Sequence, residues 1–245
     1  NSRSTPASYL GILDELRTVF AGAVEAKTRG WSKSHFSYNT SKGQCPECKG
    51  NGEIKLEMSF LPDAKVSCEA CGGGRFREEI LSVTYLGLTI AEVIQLTVEE
   101  ARGRFINHRK IHNLLRRACE LGLGYLKLGQ SSTTLSGGES QRLKLVAELS
   151  GSQRGHTLYI LDEPTTGLHK TDVIRLVGAL RELVGQGNSV IIIEHDSDVL
   201  LRSDYVIEMG PGPGPAGGQV IFQGHPALLS TQETPWGTVL RRNMT

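Results

Sequence analysis

The sequence lacks several features that would place it in common protein classes. No run of 18 apolar residues occurs in its 245 residues, so we expect no membrane span and no membrane partner. No signal peptide opens the chain, and it does not read as a small disulfide-rich secreted fold, so we expect a cytoplasmic protein. The net charge is only +1 at pH 7, and charge alone therefore indicates no partner.

A starting methionine and a phosphate-binding loop are also missing. The chain begins at Asn1 and its first methionine is Met58, so we expect a fragment of a longer protein. No Gly-x-x-x-x-Gly-Lys-Ser/Thr motif, the loop that cradles nucleotide phosphates, occurs anywhere. Any nucleotide-hydrolysing site in this chain is therefore incomplete, and we expect the isolated segment to be inactive.

Two carboxylates follow an apolar segment beyond the middle of the chain. Leu158 to Leu161 form a predicted buried strand, and Asp162 and Glu163 come directly after it. Acids at the carboxyl edge of a parallel sheet lie where open α/β folds bind ligands. One acid can hold magnesium on a phosphate, while the other orients or deprotonates a water molecule. The alternative is that these acids only begin a loop.

A short glycine motif precedes this strand. Ser136 is a good helix N-cap, and Glu139, three residues later, completes a capping box. Gly137 and Gly138 leave the N–H groups of the first turn uncovered, which creates an anion site supported by the helix dipole. The simpler interpretation is a helix cap that binds no ligand.

Two cysteine pairs indicate a metal site. Cys45 and Cys48 form the first pair, Cys68 and Cys71 form the second, and glycines follow each pair. This spacing fits a tetrahedral zinc site with four thiolates, and the glycines allow turns whose N–H groups face the sulfurs. Two disulfides are the alternative, but no secretory context supports them. Cys119 is expected to be a buried small hydrophobe outside the site.

The region around the cysteines, about residues 31–85, predicts a small antiparallel sheet. Residues 53–60 and 76–85 both show apolar residues at alternating positions, which is typical of half-buried strands. Basic residues outnumber acidic ones here, and aromatic residues lie nearby, which suits contact with a phosphate backbone. A solvated basic face is the alternative. The basic residues are Lys27, Arg29, Lys33, Lys42, Lys49, Lys55, Lys65, Arg75 and Arg77, and the aromatic or imidazole residues are Trp31, His35, Phe36 and Tyr38.

The remaining segments predict helical and α/β regions. Helices are expected within 1–29 and 89–121 and at 137–149 and 173–184, and strands at 158–161, 190–193, 204–209 and 219–222. Strand, helix and strand between 158 and 193 form a parallel crossover unit. The glycine- and proline-rich connection at 210–218 shows no chemistry.

The order of these motifs resembles ABC-type ATPases. Leu135–Glu139 is similar to their signature motif, Leu158–Glu163 to their Walker B strand, and Thr166–His169 to their D-loop. His195, which follows the apolar segment Val190–Ile193, is similar to their switch histidine. The alternative for His195 is a polar residue that caps a strand.

The cysteine pairs narrow this resemblance to the UvrA family, damage-recognition ATPases of bacterial nucleotide excision repair, and to its C-terminal nucleotide-binding module. The similarity covers nearly the whole chain and is carried by residues 45–71, 60–63, 123–130, 133–142 and 161–169. It implies an α/β ABC-type ATPase lobe at 131–245 and an inserted, zinc-containing α+β signature domain at 1–130. The family's phosphate loop and Q-loop glutamine would then lie upstream of Asn1.

The resemblance also implies roles for single residues. Asp162 would organise magnesium, Glu163 would act as general base or water-positioning group, and His195 would contact the γ-phosphate. The signature residues would bind the γ-phosphate of an ATP held by another phosphate loop; they are Ser136, Gly137, Gly138 and Glu139. The implied cofactors are zinc at Cys45, Cys48, Cys68 and Cys71, and ATP with magnesium in the full-length protein.

The implied partners are damaged double-stranded DNA, a second nucleotide-binding module in the same chain, a second copy in a homodimer, and a UvrB-like subunit that binds outside this segment. The resemblance fits UvrA and its paralogues, some of which are tied to resistance against DNA-binding drugs. A different class remains open: a zinc-stabilised binding module without catalysis, similar to DnaJ-type zinc repeats. Those proteins repeat their cysteine motif several times and lack Leu-Ser-Gly-Gly-Glu.

Overall fold

The computed structural model describes residues 3–56, 64–151, 155–212, 214 and 217–243. The chain forms two compact units, Asn1–Gln153 and Arg154–Thr245. The helix that begins at Gly137 packs within the first unit, against helices near the amino terminus and near residue 115. The functional division after residue 130 remains a prediction, because the packing boundary lies further along the chain.

The first unit begins with three helices: α1 (Pro6–Tyr9), α2 (Ile12–Ala21) and α3 (Val24–Thr28). The expected helical region is therefore confirmed, but it is divided. Gly11 separates α1 from α2 with a φ of 73°, a left-handed conformation that favours glycine. Helix α2 buries Ile12, Leu13, Leu16 and Phe20 on one face.

Two short antiparallel hairpins follow. Strand β1 (Glu53–Leu56) pairs with β2 (Ala64–Ser67), and β3 (Thr84–Tyr85) pairs with β4 (Leu88–Thr89). The part of the first predicted strand at 57–60, together with the family-like segment 60–63, lies outside the described residues.

The predicted strand at 76–85 is largely wrong. Phe76 forms only an isolated bridge to Gln44, and Glu78–Ser82 form a 3₁₀ helix. Ile80 and Val83 are both buried although they are three residues apart. This spacing matches a 3₁₀ turn, whose side chains at i and i+3 share a face, better than a strand of period two.

The predicted helices of the central region are confirmed as α4 (Ile90–Gln95), α5 (Val98–Arg104) and α6 (Arg109–Glu120). Capping boxes start α4 at Thr89 and α5 at Thr97. Helix α7 (Gly137–Ser150) then packs against α1 and α6.

Aromatic side chains form much of the core of the first unit. The ring of Phe20 contacts the rings of Phe36 and Tyr85, with centroids 5.8 and 6.2 Å away. Phe36 and Tyr38 are completely buried. The expectation that these two residues assist a phosphate contact at the surface is therefore wrong, because they stabilise the core instead.

The second unit contains the predicted parallel crossover. Strand β5 (Leu158–Asp162) pairs in parallel with β6 (Ser189–Ile193), and α8 (Lys170–Gly185) connects them. Helix α9 (Ser197–Leu201) follows β6, and β7 (Val206–Gly210) pairs antiparallel with β8 (Gln219–Gly224). Helices α10 (Pro226–Leu229) and α11 (Pro235–Asn243) follow β8.

One face of the parallel pair is covered and the other is open. Val173 and Val177 of α8 pack with Val199 and with Ile192 of β6. The opposite face carries Leu158, Ile160, Ile191 and Ile193, each more than half exposed. The predicted buried strand at Leu158–Leu161 is therefore buried only at Leu161 and half-buried at Tyr159. Within the described residues, no helix is both long and apolar enough to cross a bilayer.

Candidate metal centre and nucleotide-site elements

The four predicted cysteines converge in the first unit. Their sulfurs all lie within 4.8 Å of one another, and three of the four side chains are buried. The sulfurs of Cys45 and Cys68 are 3.9 Å apart, and those of Cys48 and Cys71 are 3.7 Å apart. Four sulfurs at about 2.3 Å from a central zinc ion in a tetrahedron lie about 3.8 Å from each other. The cluster therefore has the dimensions of a four-thiolate metal site, and all four cysteines are free thiols rather than disulfides.

Backbone groups surround the sulfurs as the glycine pattern predicted. The N–H of Gly52 donates to Sγ of Cys48 over 3.2 Å. Burial raises the pKa of Cys48, and burial also raises the pKa of Cys71 to about 12. Burial would raise the pKa of Cys68, but hydrogen bonds from Cys71 outweigh burial and lower this pKa. Thiolates held this close need a compensating positive charge, which a divalent cation supplies.

Cys119 lies outside this cluster, on α6. Burial, followed by a hydrogen bond with Glu99, raises the pKa of its thiol to about 12. Cys119 therefore lies outside the metal site, as expected, but its side chain is half-buried rather than buried.

Arg75 has a different role from the one predicted. Its side chain is only 7% exposed, lies over the ring of Tyr38, and donates from Nη2 to the carbonyl of Gly129 over 3.1 Å. The carbonyl of Arg75 accepts from the N–H of Cys45 over 2.8 Å. Arg75 therefore joins the cysteine cluster to the segment before the signature motif, and its inclusion among surface phosphate contacts was wrong.

Most of the other basic residues of this region lie at the surface, whereas Arg77 is half-buried. Lys27, Lys33, Lys42 and Lys49 are exposed. Nζ of Lys65 lies 2.7 Å from Oε1 of Glu53. Because this ion pair neutralises the charge of Lys65, the side chain attracts a phosphate less strongly. Arg29 stacks on the half-buried ring of Trp31, with its guanidinium carbon 4.8 Å from the ring centroid.

The signature turn has the predicted cap geometry. Ser136 is the N-cap of α7: its side chain accepts from the N–H of Glu139 over 3.2 Å, and its own N–H donates to Glu139 Oε2 over 2.7 Å. Neither bond uses the N–H groups of Gly137 or Gly138. Gly137 is exposed, and a Cβ placed there would meet no atom within 4 Å. A phosphate could therefore approach this backbone closely.

Two residues near this turn were not predicted as functional. The hydroxyl of Tyr125 donates to Glu139 Oε1, and the buried guanidinium of Arg142 lies beside both side chains. Burial would raise the pKa of Glu139, but hydrogen bonds from Tyr125 and Ser136 lower it below its ordinary value. These contacts keep Glu139 ionised and fixed. The i, i+3 spacing of Glu139 and Arg142 on α7 could have indicated Arg142. No spacing indicates Tyr125, because it precedes the helix by more than a turn.

The acids of the second unit stand at the end of the parallel ladder. Asp162 is the last residue of β5 and pairs with Ile193 in register. Glu163 donates its N–H to the carbonyl of Ile193 over 2.9 Å and has a φ of 45°. Such a conformation is uncommon for a residue with a side chain, and strained positions of this kind cluster at functional sites.

Glu163 and His195 follow neighbouring parallel strands, and the structure brings them together. Nε2 of His195 lies 3.7 Å from Oε1 of Glu163, and their side chains are 67% and 51% exposed. A carboxylate and an imidazole at this distance can share one water or phosphate ligand between them. The structure thus groups the strand acids with His195 in the second unit, while the Ser136–Glu139 turn belongs to the first.

Glu194 was also missed by the sequence analysis. Its carboxylate accepts hydrogen bonds from residues on both sides of the site, among them Thr165 and His195. The only signal in the sequence is an acid at the end of an apolar strand, a pattern that was applied to Asp162 and Glu163 but not to Glu194.

Comparison with known proteins gives one consistent result. The chain is 51% identical over 240 residues to UvrABC system protein A of Staphylococcus aureus (strain COL), a match that covers 98% of this chain and 25% of that protein. It is 48% identical over 231 residues to UvrABC system protein A of Bacillus subtilis (strain 168), which covers 94% of this chain and 24% of that protein. No protein-family model matches the chain.

A solved structure agrees with these sequences. The chain superposes on the crystal structure of UvrA2 from Deinococcus radiodurans with a TM-score of 0.90 and 44% identity, covering 99% of this chain and 30% of that one. The chain spans about a quarter of the length of the curated relatives that it matches. It is therefore homologous to UvrA proteins over almost all of its own length, as its motifs predicted, and corresponds to about a quarter of theirs.

Proposed function

We propose that this chain is part of a nucleotide excision repair ATPase, in which ATP hydrolysis is coupled to the recognition of damaged DNA. The observation that carries the proposal is the pair of Glu163 and His195, which lie 3.7 Å apart at the carboxyl end of two parallel strands. Homology to proteins named UvrABC system protein A supports the assignment to excision repair.

The residues of the second unit would carry the hydrolytic chemistry. Glu163 would orient a water molecule and accept its proton as the water attacks the γ-phosphorus. His195, on the opposite side of the same gap, would donate a hydrogen bond to a γ-phosphate oxygen. Asp162, which is the last residue of β5, would hold magnesium, which neutralises phosphate charge when it is bound.

The signature turn of the first unit would bind a different nucleotide. The N–H groups of Gly137 and Gly138 lie in the first turn of α7, and together with the hydroxyl of Ser136 they suit the γ-phosphate of an ATP held by another phosphate loop. We infer that this ATP belongs to a second nucleotide-binding module of the full-length protein. Pairing of two modules in one chain, a homodimer of the full-length protein and a UvrB-like partner subunit are parts of the same proposal.

Zinc is the proposed metal of the cysteine cluster. The sulfur separations of 3.7 and 3.9 Å match a four-thiolate zinc tetrahedron, and thiolate ligands are typical of structural zinc. Zinc would join the turn before β1 to the turn after β2. The ion would thus be a structural cofactor that stiffens a basic module, and damaged double-stranded DNA would contact the exposed lysines of this module.

A zinc-stabilised binding module without catalysis is the competing function. The pair of Glu163 and His195 at the end of β5 argues against this function, because a binding module without catalysis has no need for a carboxylate and an imidazole 3.7 Å apart. A UvrA-like paralogue tied to drug resistance would keep the same ATPase site. The proposal of an ATPase therefore covers both UvrA and its paralogues.

The test is Glu163→Gln in the full-length protein that contains this segment. The amide retains the shape of the side chain but cannot accept a proton, so we expect ATP turnover to fall by about a hundredfold or more while ATP binding is retained. Glu233→Gln, an exposed acid of the same unit, is the matched control. Normal turnover in Glu163→Gln would show that the hydrolytic assignment is wrong.

A further inference from the structure

Two loops leave the parallel strands at the site. Backbone pairing of β5 with β6 ends at Asp162 and Ile193, and the N–H of Glu163 adds one last bond to Ile193. Beyond this point the loop that contains Thr165 and the loop that contains His195 are no longer joined by the strand ladder. The distance between Glu163 and His195 therefore depends on other contacts.

The carboxylate of Glu194 supplies those contacts. Oε1 accepts from the N–H and the hydroxyl of Thr165, over 2.9 and 2.6 Å. Oε2 accepts from the N–H groups of His195 and Asp196, over 3.0 and 3.3 Å. One oxygen thus bonds each loop, and a charged acceptor with four donors makes strong bonds.

The same network is anchored on its far side. Asp196 caps α9 and accepts from the N–H groups of Asp198 and Val199, over 2.7 and 3.3 Å. Leu168 donates its N–H to the carbonyl of Thr165 over 2.9 Å, which closes the other loop. The backbone of His195 is therefore fixed, although its side chain is largely exposed.

We propose that Glu194 and Thr165 are positioning residues that hold His195 against Glu163. Neither residue needs to touch the nucleotide; they act through the backbone of His195 and through the loop that follows Glu163. The inference rests on the proposed ATPase function, because it assigns a task to residues around the same site. It adds a specific claim, that the hydroxyl of Thr165 contributes to turnover.

A pair of substitutions at one position tests this claim in the full-length protein. Thr165→Val keeps the shape of the side chain and the backbone N–H but removes the hydroxyl donor, whereas Thr165→Ser keeps the donor. We expect Thr165→Val to lower kcat about tenfold, because a small displacement of reacting groups is costly, and Thr165→Ser to restore most of the rate. ATP affinity and thermal midpoint should stay near their unsubstituted values in both variants.

Several outcomes would overturn the inference. They are an unchanged kcat in Thr165→Val, an equal loss in Thr165→Ser, or a fall in ATP affinity as large as the fall in kcat. If Thr165→Val does not fold, Glu194→Gln carries the comparison, because its amide N–H₂ replaces an oxygen that faces N–H donors. Normal turnover in Glu163→Gln would instead remove the proposed function itself, so the two failures are distinguishable.

Discussion

At the scale of single residues, the cysteine cluster makes a quantitative prediction about metal. The purified 245-residue chain should contain one zinc ion, because its four sulfurs form one tetrahedral site. Cys71→Ser removes one thiolate, and we expect loss of bound zinc and a lower thermal midpoint. Metal analysis by mass spectrometry and a thermal scan measure both quantities.

Cys119→Ser is the control for this experiment. Its thiol lies outside the cluster on α6, so zinc content should not change. A full zinc content in Cys71→Ser, or none in the unsubstituted chain, would show that the cluster is not a four-thiolate zinc site.

The hydroxyl of Tyr125 gives a second prediction at this scale. Tyr125→Phe removes the hydrogen bond to Glu139, which also caps α7, so we expect a loss of about 1 kcal/mol in the free energy of unfolding. Burial of Glu139 would raise its pKa, but its hydrogen bonds outweigh burial, so its pKa in the folded protein lies below the ordinary carboxyl value. The ionised Glu139 therefore stabilises the folded state fully above the ordinary carboxyl pKa, and this stabilisation is lost as pH falls through the folded pKa. Urea unfolding at neutral and at acidic pH measures this.

The difference between Tyr125→Phe and the unsubstituted chain should therefore be larger at neutral pH than at acidic pH. A difference that is the same at both pH values would mean that the hydroxyl does not stabilise the ionised form of Glu139.

At the scale of elements, the basic region around the cysteine cluster, about residues 31–85, makes a prediction about DNA. The double substitution Lys33→Glu and Lys42→Glu reverses two exposed charges. We expect weaker binding of the full-length protein to duplexes of any sequence, because phosphate contacts carry no sequence information. The slope of log affinity against log salt should flatten by roughly one unit for each phosphate that the protein no longer neutralises.

The double substitution Arg241→Glu and Arg242→Glu on α11 is the control, since it reverses two exposed charges of the second unit and so makes the same charge change. Unchanged affinity and slope in the double lysine variant would assign DNA contact to another surface. Arg75→Glu is unsuitable for this test, because Arg75 is buried against Tyr38 and bonded to Gly129, so its reversal would disturb the fold.

The same elements show what the sequence could predict. Capped helices such as α5 and α7, and the strand–helix–strand unit from β5 to β6, carry local signals: a capping box, a period of 3.6 or a continuous apolar run. The cysteine spacing and the acids after β5 were predictable for the same reason. Ligand motifs are local in sequence, even when the site they build is not.

Long-range contacts limited the rest. The sequence around Arg75 predicts a surface cation, because it does not show the contact with Gly129, which is far along the chain. Tyr125 gains its role from Glu139 on α7, and Glu194 gains its role from Thr165 on another loop. The segment 76–85 alternates like a strand, but the packing of Ile80 and Val83 favours a 3₁₀ turn. Tertiary packing decided each of these cases over local pattern.

At the scale of the whole molecule, the open face of the parallel sheet is informative. Leu158, Ile160, Ile191 and Ile193 are all more than half exposed, whereas parallel sheets are normally covered on both faces. An apolar surface of this kind marks an interaction site.

The most direct test of the proposed function is ATP turnover measured with and without a lesion-bearing duplex, in three samples: the full-length protein, its Glu163→Gln variant and the isolated 245-residue chain. We predict that the full-length protein turns over ATP at a rate that changes with the lesion. With or without the duplex, the variant should turn over ATP about a hundredfold more slowly or less. The isolated chain, which lacks a phosphate loop, should show no turnover in either condition. Steady hydrolysis by the isolated chain that Glu163→Gln abolishes, or a full-length rate indifferent to the lesion, would contradict the proposed function.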